Sequence, residues 1–157
     1  MKTNTIAISL AVAFAFFLLS TKKAFANVVQ NQGIRGCDGF GCGSFGASRG
    51  DRSHNGIDIP TMKGETVYSP ITGTVTRFPF PYGDDLRYTG IEIKNDTYSV
   101  KIFYVKATVP PGKISEGQPI AIAQDIAAKY GAAMINHIHI EVRETKTGLL
   151  IDPTNLF

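Results

Sequence analysis

Apolar and polar side chains alternate in short runs along the chain from residue 56 onward. A period of two indicates half-buried strands, because successive side chains of a strand point to opposite faces. The strands predicted in this way cover residues 56–59, 66–68, 73–78, 91–94, 98–105, 120–123 and 138–142, and residues 124–130 carry a short helical pattern. The chain is therefore predicted to form one all-β or β-rich antiparallel domain, with a hairpin turn at residues 95–97.

Residues 33–50 differ from the rest, because they hold seven glycines and have no periodic pattern. Such a segment is typical of a loop with unusual backbone angles. Residues 41–46 fit the spacing Gly-x-Gly-x-x-Gly. No apolar strand precedes them and no helical pattern follows, so we exclude a dinucleotide-binding site.

The first 26 residues have the pattern of a secretory signal peptide. Lys2 gives a short positive start, residues 6–19 form an apolar run, and residues 24–26 have the small-x-small spacing of a cleavage site. An uncleaved membrane anchor is the alternative, although the run is shorter than the roughly 20 residues that span a bilayer. We predict a secreted protein with a leader over 1–26, a loose N-terminal arm over 27–33, a domain over 34–157 and no membrane span after cleavage.

The chain has two cysteines, Cys37 and Cys42, both within the glycine-rich loop. An extracellular destination predicts that they form a disulfide, because thiols of secreted proteins are usually oxidised. A zinc-binding Cys-x4-Cys pair is the alternative.

The net charge of +3 belongs to the leader rather than to the domain. Lys2, Lys22 and Lys23 are three of the 16 basic residues, and no acidic residue lies among the first 23 positions. The remaining 13 basic residues are balanced by 13 acidic ones. Nucleic-acid binding depends on clustered positive charge, so we expect no nucleic-acid partner.

The three histidines of the chain fall in two short segments. His54 and Asp58 are four apart, and even spacing in an extended segment places both side chains on one face. His137 and His139 alternate with isoleucines in the same way. If the two segments lie side by side, His54, Asp58 and at least one of the other two histidines converge. Two imidazoles and one carboxylate with an open fourth position are typical of accessible zinc. A metal-free β domain with an incidental histidine cluster is the alternative.

At these residues the sequence resembles the lysostaphin-type zinc peptidases. The segment from His54 to Ile59 resembles the opening motif of that family, and the segment from His137 to Val142 resembles its closing His-x-His strand. Further matching segments lie at 44–49, 64–75, 117–120 and 152–153. Within the family, the segments 34–43 and 101–106 resemble a secreted, chemotaxin-like group of animal proteins.

The resemblance implies the lysostaphin-type (duplicated hybrid motif) fold and a Zn²⁺ site. The implied ligands are His54, Asp58 and His139, and His137 would be the catalytic general base or oxyanion-stabilising residue. The family's peptidases carry another active-site histidine in a Tyr-x-His segment, and the matching run here ends in Lys106. A charged Lys106 cannot accept a proton, although it could stabilise an oxyanion.

Two functions follow from the resemblance. The first is a secreted zinc-binding, chemotaxin-like module with a degenerate peptidase site. Its partner in extracellular recognition or innate defence would be a receptor, a glycan or a bacterial cell-wall peptide. The second is a zinc endopeptidase that cleaves the cross-link peptides of peptidoglycan, in which case a Lys106→His change should raise turnover.

Two smaller expectations concern the surroundings of the metal site. Four tyrosines, Tyr68, Tyr82, Tyr88 and Tyr104, could line a groove beside the metal, where their rings would stack on peptide or sugar. Arg49 and Arg52 flank His54 and could bind a carboxylate. Ordinary packing and solvated charge are the respective alternatives.

Overall fold

The structure is a computed structural model that describes residues 24–157. The charged start and the apolar run of the predicted leader lie outside the described residues. Among the described residues, no helix is both long enough and apolar enough to cross a bilayer.

Strands dominate the described chain, as the alternation predicts. In chain order the elements are β1 (Cys37–Asp38), β2 (Gly41–Cys42), β3 (Ile57–Pro60), β4 (Thr66–Tyr68), β5 (Gly73–Arg77), β6 (Gly90–Lys94), β7 (Tyr98–Phe103), β8 (Val105–Ala107), β9 (Gly112–Ile114), β10 (Pro119–Ala123), α1 (Ala127–Tyr130), β11 (His137–Glu144), β12 (Leu150–Ile151) and a 3-10 helix (Pro153–Asn155). The helix is shorter than predicted, because the Gln124 side chain accepts a hydrogen bond from the Thr89 amide in the facing loop (2.9 Å) and so belongs to a connection.

The strands of residues 24–157 form three sheets, and all their pairings are antiparallel. The largest sheet has seven strands in the order β12-β11-β7-β6-β5-β9, and β3 also pairs with β11. A second sheet has the order β4-β10-β8, and β1 pairs with β2 as a small hairpin. The prediction of a β-rich antiparallel domain is confirmed.

One cluster of buried apolar side chains joins the two larger sheets. On β11, Ile138, Ile140 and Val142 are all fully buried. Each such side chain stabilises the fold by roughly 1.5–3 kcal/mol relative to an exposed position. The core therefore occupies one face of the seven-stranded sheet and leaves the other face free for polar groups.

The predicted strand 98–105 is interrupted at Tyr104. Tyr104 has a φ of +63°, a left-handed conformation that non-glycine residues adopt infrequently. The chain leaves the seven-stranded sheet at Phe103 and enters the three-stranded sheet at Val105. Alternation continues through this point in the sequence, so the pattern alone could not predict the break.

The segment before the glycine-rich loop packs on the domain. Val28 and Val29 are buried in the core, and Val28 accepts a backbone hydrogen bond from Tyr68 (2.9 Å). The expectation of a loose arm is therefore wrong at these positions, because two β-branched side chains find apolar partners there. Phe25 and Ala26, placed in the leader by the sequence pattern, also donate backbone hydrogen bonds to the domain. The position of the cut itself stays a prediction.

Phe25 is a test of this packing. Its side chain is 3% exposed and lies edge-on against the rings of Tyr98 and Phe157, with centroids 5.0 and 5.3 Å away. In protein made without residues 1–23, we expect Phe25→Ala to lower the free energy of unfolding by about 3 kcal/mol, the usual cost of emptying such a site. Urea unfolding measures the change. Phe80→Ala is the control, because Phe80 is 51% exposed, and equal effects of the two changes would contradict the packing.

Candidate metal centre

Pairing of β3 with β11 brings together the two histidine-bearing segments. Asp58 lies opposite His139 in the register, and Ile59 lies opposite Ile138. Because side chains alternate along both strands, the aspartate and the histidine share one face while the isoleucines enter the core. The predicted convergence of these segments is confirmed.

His54 joins the group from the loop that precedes β3. Its amide donates a hydrogen bond to the Ala47 carbonyl (2.9 Å), which fixes the backbone. Its Nδ1 lies 2.8 Å from the Ser44 carbonyl oxygen. A carbonyl can only accept, so Nδ1 carries a proton and Nε2 is the ring nitrogen that faces Asp58 and His139.

The facing atoms fit one divalent metal ion. His54 Nε2 lies 2.9 Å from His139 Nδ1 and 3.0 Å from Asp58 Oδ1, and the last two atoms are 2.9 Å apart. Tetrahedral zinc with bonds of about 2.0–2.1 Å would hold such atoms roughly 3.3 Å apart, so a small outward movement suffices. His54, Asp58 and His139 could therefore bind a metal ion together.

The electrostatics of the group are set by burial and mutual hydrogen bonding. Burial raises the pKa of the Asp58 carboxyl, but hydrogen bonds with His139 and His54 outweigh it and hold the pKa well below its usual range. Burial lowers the pKa of His139, whereas its hydrogen bonds with Asp58 and Glu141 raise the pKa overall. The carboxylate is thus ionised and ready to act as a ligand, and metal binding would displace a proton from the imidazoles.

His137 lies beside this group without belonging to it. Its Nδ1 is 2.7 Å from the Ile135 carbonyl oxygen, and its Nε2 is 3.8 Å from Asp58 Oδ2. Burial lowers the pKa of His137, which favours the neutral imidazole near pH 7. The catalytic role of His137 stays a prediction.

Aromatic rings form one wall of a cleft of about 380 Å³ that opens onto these side chains. The rings belong to Phe40, Phe80, Tyr82, Phe103, Tyr104 and Tyr130. The hydroxyl of Tyr82 lies 3.1 Å from that of Tyr104 and 3.0 Å from that of Tyr130. Of the four tyrosines considered from sequence, Tyr82 and Tyr104 line the cleft, whereas Tyr88 is buried behind them and Tyr68 is not part of the wall. The sequence pattern did not indicate the other four rings. Three of them lie on loops or on a very short helix, and Phe103 ends β7 just before the break at Tyr104.

Lys106 does not line the cleft, so the position of its side chain does not support the oxyanion-stabilising role considered from the sequence. Lys106 is exposed on β8, and its strand partner is Ile122. In an unbroken strand, positions 104 and 106 would share a face, but the left-handed backbone at Tyr104 breaks that relation. The ring that contacts His137 is Tyr104, edge-on, with centroids 5.5 Å apart.

Cys37 and Cys42 are joined by a disulfide that closes the β1–β2 hairpin. The predicted bridge is confirmed. The alternative of a zinc-binding cysteine pair is wrong, because neither sulfur is available as a thiolate ligand.

Comparison with known proteins gives the same family and fold. No protein-family model matches the chain. The chain is 34% identical over 109 residues to leukocyte cell-derived chemotaxin-2 from Bos taurus. The aligned region covers 69% of this chain and 72% of that protein. The chain belongs to the leukocyte cell-derived chemotaxin-2 family.

This member of the chemotaxin-2 family also matches solved structures that have the lysostaphin-type fold. The catalytic domain of lysostaphin from Staphylococcus simulans matches with a TM-score of 0.53 at 18% identity, covering 74% of this chain and 87% of that one. A zinc containing peptidase from Vibrio cholerae matches with a TM-score of 0.53 at 26% identity, covering 80% of this chain and 37% of that one. The fold predicted from the sequence is confirmed.

Proposed function

We propose that this member of the chemotaxin-2 family is a secreted zinc-binding module that recognises an extracellular partner and carries a degenerate peptidase site. One observation supports this most strongly. The three-donor group is complete, whereas the ring packed against His137 belongs to Tyr104 and not to a second histidine. The chain has three histidines in all, so no other imidazole can supply a second proton-transferring group.

The residues around the donors favour binding. A zinc ion held by His54, Asp58 and His139 would supply a Lewis acid with an open position toward the cleft. The Ser44 carbonyl keeps the His54 ring in the tautomer that presents Nε2. Neutral His137 can exchange a hydrogen bond with a bound group, and the aromatic wall offers rings on which peptide or sugar can stack.

The same surroundings disfavour hydrolysis. Burial raises the pKa of the Tyr104 hydroxyl, so it stays protonated and is a poor base. Its oxygen is already paired with the hydroxyl of Tyr82. Loss of one positioned acid or base commonly lowers a rate by about 10²–10⁴-fold. Recognition would therefore survive in a site whose turnover is lost.

An extracellular role agrees with the predicted leader and with the disulfide, since disulfides persist in oxidising compartments. The partner would be a receptor, a glycan or a bacterial cell-wall peptide that presents a polar group to the metal and an apolar or ring surface to the wall. The second candidate is a zinc endopeptidase acting on cell-wall peptides. It is favoured by the neutral His137 beside Asp58, which would then handle the proton.

Peptide release from purified peptidoglycan distinguishes the two candidates. We expect the zinc-loaded protein to release no more peptide than metal-stripped protein, because the site lacks its second proton-transferring group. His137→Ala is the matched control. Release that requires both zinc and His137 would establish the peptidase and overturn the degenerate-site proposal.

A further inference from the structure

The two oxygens of the Asp58 carboxylate have separate surroundings. Oδ1 faces the imidazoles of His54 and His139, whereas Oδ2 accepts from Arg35 Nη2 at 3.0 Å and from Arg49 Nη2 at 3.3 Å. The Asp58 and Arg35 side chains are only 3% and 2% exposed. Charge-assisted hydrogen bonds are strongest in such surroundings, and two of them on one oxygen fix the rotation of the carboxylate. The arginines therefore aim Oδ1 at the metal position.

Both arginines are in turn held by the disulfide hairpin, defined here as residues 37–42. Arg35 Nη1 donates to the Asp38 carboxylate and to the Gly41 carbonyl (3.1 Å), and Arg49 Nη2 donates to the Cys42 carbonyl (2.7 Å). Every one of these acceptors belongs to the disulfide hairpin. The metal ligand is thus connected to the disulfide through two guanidinium groups.

The loop after the disulfide hairpin packs directly against the ligand. The amide of Asp58 donates to the Gly43 carbonyl at 2.8 Å, and the Gly43 amide donates to the Arg35 carbonyl at 3.1 Å. A Cβ on Gly43 would lie 2.7 Å from the Arg35 Cβ and 3.1 Å from the Asp58 Cβ. These contacts leave little room for the disulfide hairpin to move while Asp58 stays in place.

The disulfide hairpin also reaches the far side of the cleft. The Asp38 carboxylate accepts from the Ile135 amide (3.1 Å), and the Ile135 carbonyl holds His137 Nδ1. Phe40, at the tip, packs against Tyr130 with ring centroids 5.6 Å apart. One small element therefore supports a metal ligand, His137 and the aromatic wall together.

The disulfide is what keeps this element closed. β1 and β2 are two residues long each, and so short a hairpin is not stable by itself in water. If the S–S bond is broken, the anchors of both arginines can move away from the site. The buried guanidinium of Arg35 would then lose Asp38, one of the two carboxylates that balance its charge.

We propose that the Cys37–Cys42 disulfide and the positioning residues Arg35 and Arg49 form a redox-sensitive clamp on Asp58. Metal is bound tightly when the disulfide is formed and weakly when it is reduced. Reduction by a small thiol would give two Cys thiols and the disulfide of the reductant, a transfer of two electrons and two protons. This inference rests on the proposed metal site and adds a control on its affinity.

Zinc affinity of the full domain, measured by competition with a chromogenic chelator, tests the clamp. We expect the Cys37→Ser/Cys42→Ser protein to bind zinc about 10–100-fold more weakly than the oxidised wild type, the usual effect of losing an outer-shell support. Serine also prevents the freed sulfurs from binding zinc themselves. Arg49→Met should also weaken zinc binding. Because Arg49 is partly exposed, its replacement disturbs the fold less than replacement of the buried Arg35.

Controls separate positioning from loss of the fold. Arg143→Met changes an arginine on β11 whose guanidinium contacts the Gly148 carbonyl, and it should leave zinc affinity unchanged. Arg35→Lys keeps the positive charge but loses the planar guanidinium group that binds two acceptors at once. We expect its zinc affinity to lie between those of Arg35→Met and wild type. Circular dichroism checks that each variant is folded at the temperature used.

Each outcome is decisive. Affinities of the double serine variant and of Arg49→Met equal to wild type would overturn the clamp and leave the proposed zinc site intact. An oxidised wild-type protein that binds no zinc would overturn both. Weakened binding in the folded variants, with Arg143→Met unchanged, would support the clamp.

Discussion

Zinc should raise the thermal stability of the wild-type protein and should not raise that of His54→Ala or His139→Ala. A ligand that binds the folded state at 100 times its Kd stabilises it by about 2.7 kcal/mol. Loss of a residue that only supports a ligand weakens metal binding by roughly 10–100-fold, and loss of one of the three donors should weaken zinc binding by more than that. Both variants should therefore lose the stabilisation by zinc. Metal analysis after gel filtration and thermal unfolding with and without zinc measure the two effects.

His137→Ala is the matched control for this prediction. His137 lies two residues from His139 on the same strand and is the more buried of the two, but it is not one of the three facing donors. We expect this variant to keep stoichiometric zinc and the stability gain. Retention of full zinc by His54→Ala and His139→Ala would show that the ligand assignment is wrong.

Gly56→Ala should disrupt the fold and the metal site together. A Cβ at this position would collide with the Ile140 carbonyl across the β3–β11 pairing and would lie 2.9 Å from Cε1 of His139. Neither atom can yield, because one belongs to the strand backbone and the other to the ligand ring. Overpacking of a filled site costs about 1–3 kcal/mol and occasionally more, and we expect a loss near 3 kcal/mol together with weaker zinc binding.

Gly83→Ala provides the comparison for Gly56→Ala. No atom of residues 24–157 lies within 4 Å of a Cβ built on Gly83, so the change should leave the unfolding midpoint and the zinc content near wild type. Urea unfolding and metal analysis of the two variants would contradict the steric argument if they gave equal results.

Those features of the site that follow from the alternation of side chains along a strand could be predicted from the sequence. Alternation of His137 and His139 with Ile138 and Ile140 indicated which side chains face the core, and the structure buries both isoleucines fully. The even spacing of His54 and Asp58 indicated that the two side chains share a face, and the pairing of β3 with β11 meets the condition that the two segments lie side by side. These features depend on local backbone geometry, so a short stretch of sequence is sufficient to predict them.

What the sequence did not predict depends on contacts between distant parts of the chain. Arg35 binds Asp58 across 23 positions from a loop without periodicity, so no pattern indicated it. The break at Tyr104 is a single backbone angle inside an alternating run, and it decides that Tyr104 rather than Lys106 contacts His137. Phe25 lies within the predicted signal-peptide motif, so the sequence pattern did not indicate its contacts with Tyr98 and Phe157.

The division of β11 into an isoleucine face and a histidine face has an evolutionary consequence. Substitutions on the histidine side can change the chemistry of the site while Ile138, Ile140 and Val142 keep their places in the core. The fold can thus be retained during evolution while the residues of the site are substituted one by one. Such independence of architecture from reactivity agrees with one fold being shared by the antimicrobial peptidase lysostaphin and by this member of the chemotaxin-2 family.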